Sequence, residues 1–475
     1  MQIDEPPDSK SSFKTLFSET TAHGCKNVIS PTRSVFTRLV WLLCVLGMTC
    51  GLSANLYSLF KNYHTYPFQT VVKIEPRTKL DFPAITLCDL SYVDTTKINN
   101  SKGIFNFFLK NSFLKNLDLN ESDKTYRAAQ KTTVDKLFNE SVTHVSEMFG
   151  LCLWKNQVIG CDNFWKPIFT DLGRCFAFNH NASDKLSVDS TGTKGALSFI
   201  ASINQKGYLV SDNTAAGLKL NIHDQYQLPD VSNNGIITSP GSSTLIGLRK
   251  ESYKFLPAPF KAYGDSYCVA NDDPALLSKM KYSSVYNRET CIRECLGEIT
   301  VNNCSCKSVT EPESLPLPYC TLEELVHCYR PTLGLYYSNN HFKVCDCPRV
   351  CVFNKYKTRI SMGMFPSTNA MKELVKNNII AGKEVGRTNF LDITIFYEDL
   401  LLEEVRHVPE YSTLSILGTV GGQMGLFLGA SVITLAEFFE MFLWSVWLSV
   451  GKIHQRLQGV GPSNSNTLNV KSIKS

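Results

Sequence analysis

Gly418-Thr-Val-Gly-Gly-Gln-Met-Gly-Leu-Phe-Leu-Gly-Ala-Ser431 opens the second of two long apolar segments in this chain, and Gly421, Gly425 and Gly429 recur in it every four residues. On a helix that spacing makes one stripe without side chains. In a bilayer such a stripe lets backbones approach closely and frees carbonyls to meet a neighbour or an ion. A few residues on come Glu437 and Glu440, set among Val, Ile, Leu, Phe and Trp. Carboxylates at membrane depth are costly and mark ion paths. The glycines alone would suit a helix-packing seam, but the acids beyond them make the segment read as the lining of a pore.

The other long apolar segment is RLVWLLCVLGMTCGLSANLYSLF, residues 38–60. It begins too far from the N-terminus, after a mixed-charge leader, for an ordinary cleaved signal peptide. The expected organisation is a leader 1–37, a first span 38–60, an intervening region 61–411, a second span 412–450 and a tail 451–475. Lys26, Arg33 and Arg38 precede the first span, and Lys452, Arg456, Lys471 and Lys474 follow the second. Basic flanks stay on the cytoplasmic side, so both termini are expected inside and residues 61–411 outside.

Cysteines and sequons point the same way. Of 17 cysteines, only Cys25, Cys44 and Cys50 fall in the leader or first span, leaving 14 in the region read as extracellular. An even number in an oxidising compartment predicts a disulfide framework. Asn99, Asn120, Asn139, Asn181 and Asn303 each open an N-x-S/T triplet, and all lie in that region. A net charge of +5 on 475 residues makes no case for nucleic acid. HExxH, GxSxG and the P-loop are absent, so no enzyme class is indicated and no cofactor or metal is called for.

The intervening region alternates strand-like and helical pieces, which predicts a mixed α+β, disulfide-rich domain. Asp81–Cys88, Gly217–His223 and Asp392–Tyr397 read as strands; Ser122–Phe149 reads as one or two helices and Ala370–Ile380 as a short one. Cys291 and Cys295 sit on one face of a helical stretch, and Cys345 and Cys347 on one face of an extended one. A helix stapled twice to a neighbouring strand is the economical reading. Spacing alone does not fix the pairing.

In their order, these motifs resemble the degenerin/epithelial sodium channel family, which includes acid-sensing and peptide-gated channels. They are His23-Gly24, FPAITLC at 82–88, GRCFAFN at 173–179, LPAPF at 256–260, the cysteine array 268–351 and GGQMGLFLGAS at 421–431. The resemblance implies a plasma-membrane homo- or heterotrimer with two transmembrane helices, a hand-like ectodomain and a sodium-selective, amiloride-blockable pore. An oligomer is required in any case, because two helices cannot surround water, and a closed ring is the usual solution. The resemblance further implies that Gly429, Ala430 and Ser431 form a non-helical selectivity belt. Glu437 and Glu440 then ring the inner path with Gly421 and Gly425 above, and His23 and Gly24 lie in a re-entrant segment below. Its implied disulfides are Cys88–Cys175, Cys152–Cys161, Cys268–Cys351, Cys291–Cys347, Cys295–Cys345, Cys304–Cys328 and Cys306–Cys320. Tyr66 corresponds to the family's aromatic contact with a thumb-base loop, where Phe260 stands in place of Trp.

Departures from the acid-sensing pattern bear on what opens the channel. The segment YRPTLGLYYSNNHFKV between Cys328 and Cys345 has no Asp or Glu. Paired carboxylates are what a proton sensor needs, since crowding raises one partner's pKa toward the working pH. The family's histidine pair above the first span is Pro67-Phe68 here, and the acid before the Gly-Gly is Thr419. An extracellular peptide agonist of the RFamide type is therefore expected ahead of protons, with Tyr336, Tyr337 and Phe342 as candidate contacts. A constitutively open channel, and a two-span receptor without a pore, are the alternatives.

Overall fold

The computed structural model describes residues 24–91, 93–114, 123–170, 172–180, 185–210, 214–283, 285–338, 344–380 and 386–458. His23, Asn120, Asn181 and Phe342 lie outside them. The chain divides into two units, Met1–Gln69 with Pro409–Ser475, and Thr70–Val408.

In the first unit, helix Val35–Tyr63 starts at Ser34, whose hydroxyl accepts from the Thr37 amide at 3.3 Å. It is the one unbroken helix among the described residues long and apolar enough to cross a membrane. The second apolar stretch is two helices, Thr413–Leu428 and Val432–Gln458, with a bend of 79° at the break. A Cβ added at Gly51 on the first helix would come within 3.0 Å of the Phe427 ring, so a glycine is what lets these helices approach.

The second unit is built on a seven-stranded sheet and a five-stranded sheet with a shared apolar core. In the larger, Ser242–Lys254 pairs antiparallel with Val352–Met364 and parallel with Phe390–Pro409. In the smaller, Ala84–Asp89 lies between Leu218–His223 and Gly173–Phe178. Phe82 is fully buried at the junction, edge-on to Trp154, Phe178 and Tyr397. Its carbonyl accepts from the side-chain amides of Asn179 (2.7 Å) and Gln225 (3.1 Å), and the Tyr397 hydroxyl donates to the Asp81 carbonyl at 2.9 Å. Burying one such ring is worth about 2–3 kcal/mol. The FPA and GRCFAFN motifs are thus joined through Phe82 and Asn179.

Several expected elements differ. Asp81–Cys88 is not one strand: Pro83 cannot donate to a ladder, and the chain splits into Leu80–Asp81 in a two-stranded sheet and Ala84–Asp89 in the five-stranded one. Ser122–Phe149 yields three short helices, Lys124–Gln130, Val134–Glu140 and Val145–Met148, before a strand begins at Phe149. Strand Asp392–Tyr397 is the start of a 20-residue strand, Phe390–Pro409. The expected helix Ala370–Ile380 is Thr368–Lys376, capped by Ser367. Cys345 and Cys347 sit in an irregular segment, so the stapled helix Arg288–Cys304 is tied to a loop and not to a strand.

Candidate functional site

Two groups of residues stand out, one at the helix break and one in the disulfide-rich unit. At the break, Gly429 adopts a left-handed conformation with φ 61°. Its amide donates to the Gly425 carbonyl at 2.9 Å, and the Ala430 amide reaches the Met424 carbonyl at 3.3 Å. The 5→1 bond from the left-handed Gly429 is a usual way for a glycine to end a helix. The next helix starts at once. The Ser431 amide donates to the Thr434 hydroxyl at 3.1 Å, and the Thr434 amide returns a bond to the Ser431 hydroxyl at 3.4 Å. Glycine as stop, serine as start and alanine between them leave three residues outside helical geometry. Non-helical backbone at membrane depth is tolerated only where it lines a wet cavity or is covered by protein.

A Cβ added at Gly421 or Gly422 would meet nothing within 4 Å, and one at Gly425 would only just reach the Ala430 carbonyl. In a single chain the glycine stripe is therefore open. Glu437 and Glu440 sit one turn apart on helix Val432–Gln458 beyond the break, the first half-buried and the second exposed. Gly24 has φ 87° and precedes the short helix Cys25–Ile29; a Cβ there would come within 2.9 Å of Val45 and 3.6 Å of Trp41. Glycine is thus required on both conformational and steric grounds.

In the disulfide-rich unit the seven bridges are Cys88–Cys175, Cys152–Cys161, Cys268–Cys351, Cys291–Cys347, Cys295–Cys345, Cys304–Cys328 and Cys306–Cys320, the pairs the resemblance implies. Cys25, Cys44 and Cys50 are free thiols. Asn99, Asn139 and Asn303 are exposed, as a glycan acceptor must be. Tyr66 takes φ 51° next to Tyr63, and Phe260 lies in a turn closed by its amide on the Pro257 carbonyl. Tyr336 packs partly into the cluster around Leu296, while Tyr337 is exposed; neither lines the cavities described next.

A cleft of about 890 Å³ runs past the N-terminus of helix Arg288–Cys304. One end carries Arg288, Arg349, Tyr263 and Tyr286; the other carries Asp224, held by Asn354 and by the Tyr356 hydroxyl at 2.9 Å. A smaller cavity of about 240 Å³ is lined by Asp89, Lys97, Glu147, Arg174 and Tyr208 among others. There burial pushes the Asp89 carboxyl up to about 6, against the opposing hydrogen bond from Tyr208. Lys97 is paired with Glu147 and also donates to the Val142 carbonyl at 2.9 Å. Sequence reading passed over these residues. Arg288 and Arg349 are far apart in the chain, and the Cys291–Cys347 and Cys295–Cys345 bridges, with the Tyr286 hydroxyl on the Pro348 carbonyl, bring their segments together.

Residues 16–441 match the family model described as amiloride-sensitive sodium channel. The chain is 28% identical to acid-sensing ion channel 1 of Gallus gallus, covering 90% of this chain and 83% of that protein. It is 28% identical to the bile acid-sensitive ion channel of Homo sapiens (98% and 94% covered) and 27% identical to acid-sensing ion channel 2 of Mus musculus (93% and 88%). The chain belongs to the amiloride-sensitive sodium channel family, whose members are ion channels and not enzymes.

Proposed function

We propose that this member of the family is a plasma-membrane, sodium-selective, amiloride-sensitive channel opened by an extracellular ligand. The break at Gly429–Ala430–Ser431 carries the reading. A helix stopped by a left-handed glycine and restarted by a serine cap turns backbone carbonyls out of the helical ladder, where they can replace part of a cation's water shell. Three copies would bring three such turns around one axis. The open stripe at Gly421 and Gly425 supports that assembly, since among the described residues a Cβ at Gly421 would meet nothing within 4 Å and one at Gly425 only the Ala430 carbonyl at 4.0 Å. Glu437 and Glu440 then concentrate cations on the cytoplasmic side, and residues His23 and Gly24 line the entry below. Tyr66 and Phe260 couple the disulfide-rich unit to the pore in this reading, with residues 61–411 outside and both termini inside.

For the agonist, an RFamide-type peptide is the first class to test. Its support is the acid-free segment between Cys328 and Cys345 together with Thr419 and Pro67-Phe68, each of which departs from a proton-sensing pattern. Protons are the second reading. The names of the similar channels favour it, and so does a carboxyl at Asp89 that titrates near pH 6. Expression in oocytes with separate peptide and acid steps decides between them. Peptide-evoked, amiloride-blocked sodium current supports the first reading. Large acid currents without a peptide response replace it with the second. Absence of any sodium-selective current, alone or with a sister subunit, sinks the channel assignment for this chain.

A further inference from the structure

The Arg-lined end of the 890 Å³ cleft has no role in the reading above. Helix Arg288–Cys304 begins with Arg288, three residues before Cys291, and Arg349 follows Cys347 by two. The Cys291–Cys347 bridge therefore sets the two guanidinium groups at one end of the cleft. Arg349 lies over the Tyr263 ring, 4.6 Å from its centroid, and its side chain is solvent-exposed. No carboxylate forms an ion pair with Arg349 among the described residues. The Tyr286 hydroxyl donates to the Pro348 carbonyl at 2.7 Å and the Tyr263 hydroxyl to the Val350 carbonyl at 3.3 Å, which fixes both rings as walls. Burial, and then the neighbouring Arg349 charge, hold the Arg288 pKa below the ordinary arginine range, against the opposing pull of the Glu289 carboxylate that also lines the cleft. Two like charges kept together beside aromatic faces are stabilised by an anion that bridges them.

We propose that Arg288 and Arg349 bind the carboxylate of an organic acid whose apolar body lies along Tyr263, Tyr286 and Val285. Two sources offer this chemistry, a small aryl acid or the free C-terminus of a peptide ending in an aromatic residue. An amidated terminus has no charge for the pair, so this site is distinct from any that an RFamide would occupy. The proposal rests on the reading above only in taking this unit as extracellular, and binding is measured without reference to current.

The test is calorimetric titration of the purified full-length protein with 3-phenylpropionate, with Phe-Arg-Phe bearing a free carboxylate, and with the same peptide amidated. The acid peptide is expected to bind at least about tenfold more tightly than the amide, and Arg349→Gln to abolish the difference, with Arg349→Lys restoring part of it. Binding of 3-phenylpropionate as well identifies a small acid as sufficient; binding of the acid peptide alone identifies a peptide terminus. Arg349 is exposed, so its substitutions leave folding intact even where Arg288→Gln does not. Equal affinity for acid and amide, no binding of either acid, or unchanged acid binding in Arg349→Gln overturns the proposal.

Discussion

The imidazole of His407 lies flat on the ring of Phe255, with centroids 4.0 Å apart and planes 11° from parallel. His407 is near the end of strand Phe390–Pro409, five residues before the helix-capping Ser412, and Phe255 immediately precedes the LPAPF loop. The stack thus ties that loop to the strand leading into the second apolar stretch. Burial lowers the His407 pKa from its ordinary 6.5, so the neutral ring is the one the fold holds. An unfolded chain takes up the proton first. The stack's contribution is therefore complete above pH 6.5 and is lost as pH falls below it. His407→Ala should cost about 1 kcal/mol and remove that pH dependence, as read by thermal unfolding of the detergent-solubilised protein at pH 7.5 and 5.5. A phenylalanine at 407 should keep the stack and lose only the pH term.

Acid stability of the disulfide-rich unit should turn on two groups of opposite sign. His223 is buried, with Nε2 2.9 Å from the Thr86 hydroxyl and Nδ1 2.9 Å from the Asp224 carbonyl, and burial lowers its pKa to about 4. Its folded value lies below its unfolded one, so acidification from pH 6.5 to 4 destabilises by up to ~3 kcal/mol. Asp89 runs the other way. Its folded pKa is raised to about 6, so its contribution is full below its unfolded value of 3.8 and is lost as pH rises through 6. Over the same window, acidification stabilises through Asp89 by a similar ~2–3 kcal/mol. The wild type should accordingly show a nearly flat stability between pH 6.5 and 4. Asp89→Asn should expose a steep acid loss and His223→Gln an acid gain. Parallel pH profiles for the two variants would refute both assignments.

The nested bridges should be redundant in pairs. Cys291–Cys347 and Cys295–Cys345 close loops of 56 and 50 residues, one inside the other. With one intact, the other constrains only a few further residues of the unfolded chain. Removing either alone should then cost about 1–2 kcal/mol, whereas removing both should cost about 4 kcal/mol, the full closure entropy of a loop this long. Non-reducing thermal melts of the single and double Cys→Ser variants measure the difference. Equal, additive losses would show that strain or packing, and not loop closure, sets the value of these bridges.

These cases also explain what could be read from the chain directly. The apolar segments were legible because each rests on local composition, whereas the pairing in the cysteine array and the helix break were implied by the family resemblance, since spacing alone fixes neither. The 13-residue strands Ser242–Lys254 and Val352–Met364 were not legible. Val352–Met364 is an edge strand bearing Lys355, Lys357 and Arg359, mostly exposed on both faces, so the alternation that announces a strand is missing. Glu251 on its neighbour is buried and paired with Lys357, a pattern that looks like loop until the strands are side by side. The cleft escaped for a related reason. Arg288 and Arg349 acquire meaning only once bridges between residues 56 and 50 apart bring their segments together, and neither position carries a motif of its own.

The helix break offers the sharpest separation of structure from selectivity. Gly429 holds φ 61°, where an L-residue with a Cβ pays about 1 kcal/mol, so Gly429→Ala should favour a continuous helix through the turn. Ser431→Ala removes the hydroxyl that receives the Thr434 amide and should cost a similar ~1 kcal/mol in capping while leaving the backbone turn in place. If backbone carbonyls select the ion, Gly429→Ala should lower the sodium-to-potassium permeability ratio sharply and Ser431→Ala should change it little. A bulky residue such as Ser431→Phe should narrow or abolish conduction by crowding the turn. Reversal potentials under sodium and potassium substitution give each ratio. An unchanged ratio in both Gly429→Ala and Ser431→Phe would place selection elsewhere, with Glu437 and Glu440 next to be tested by single Gln substitutions.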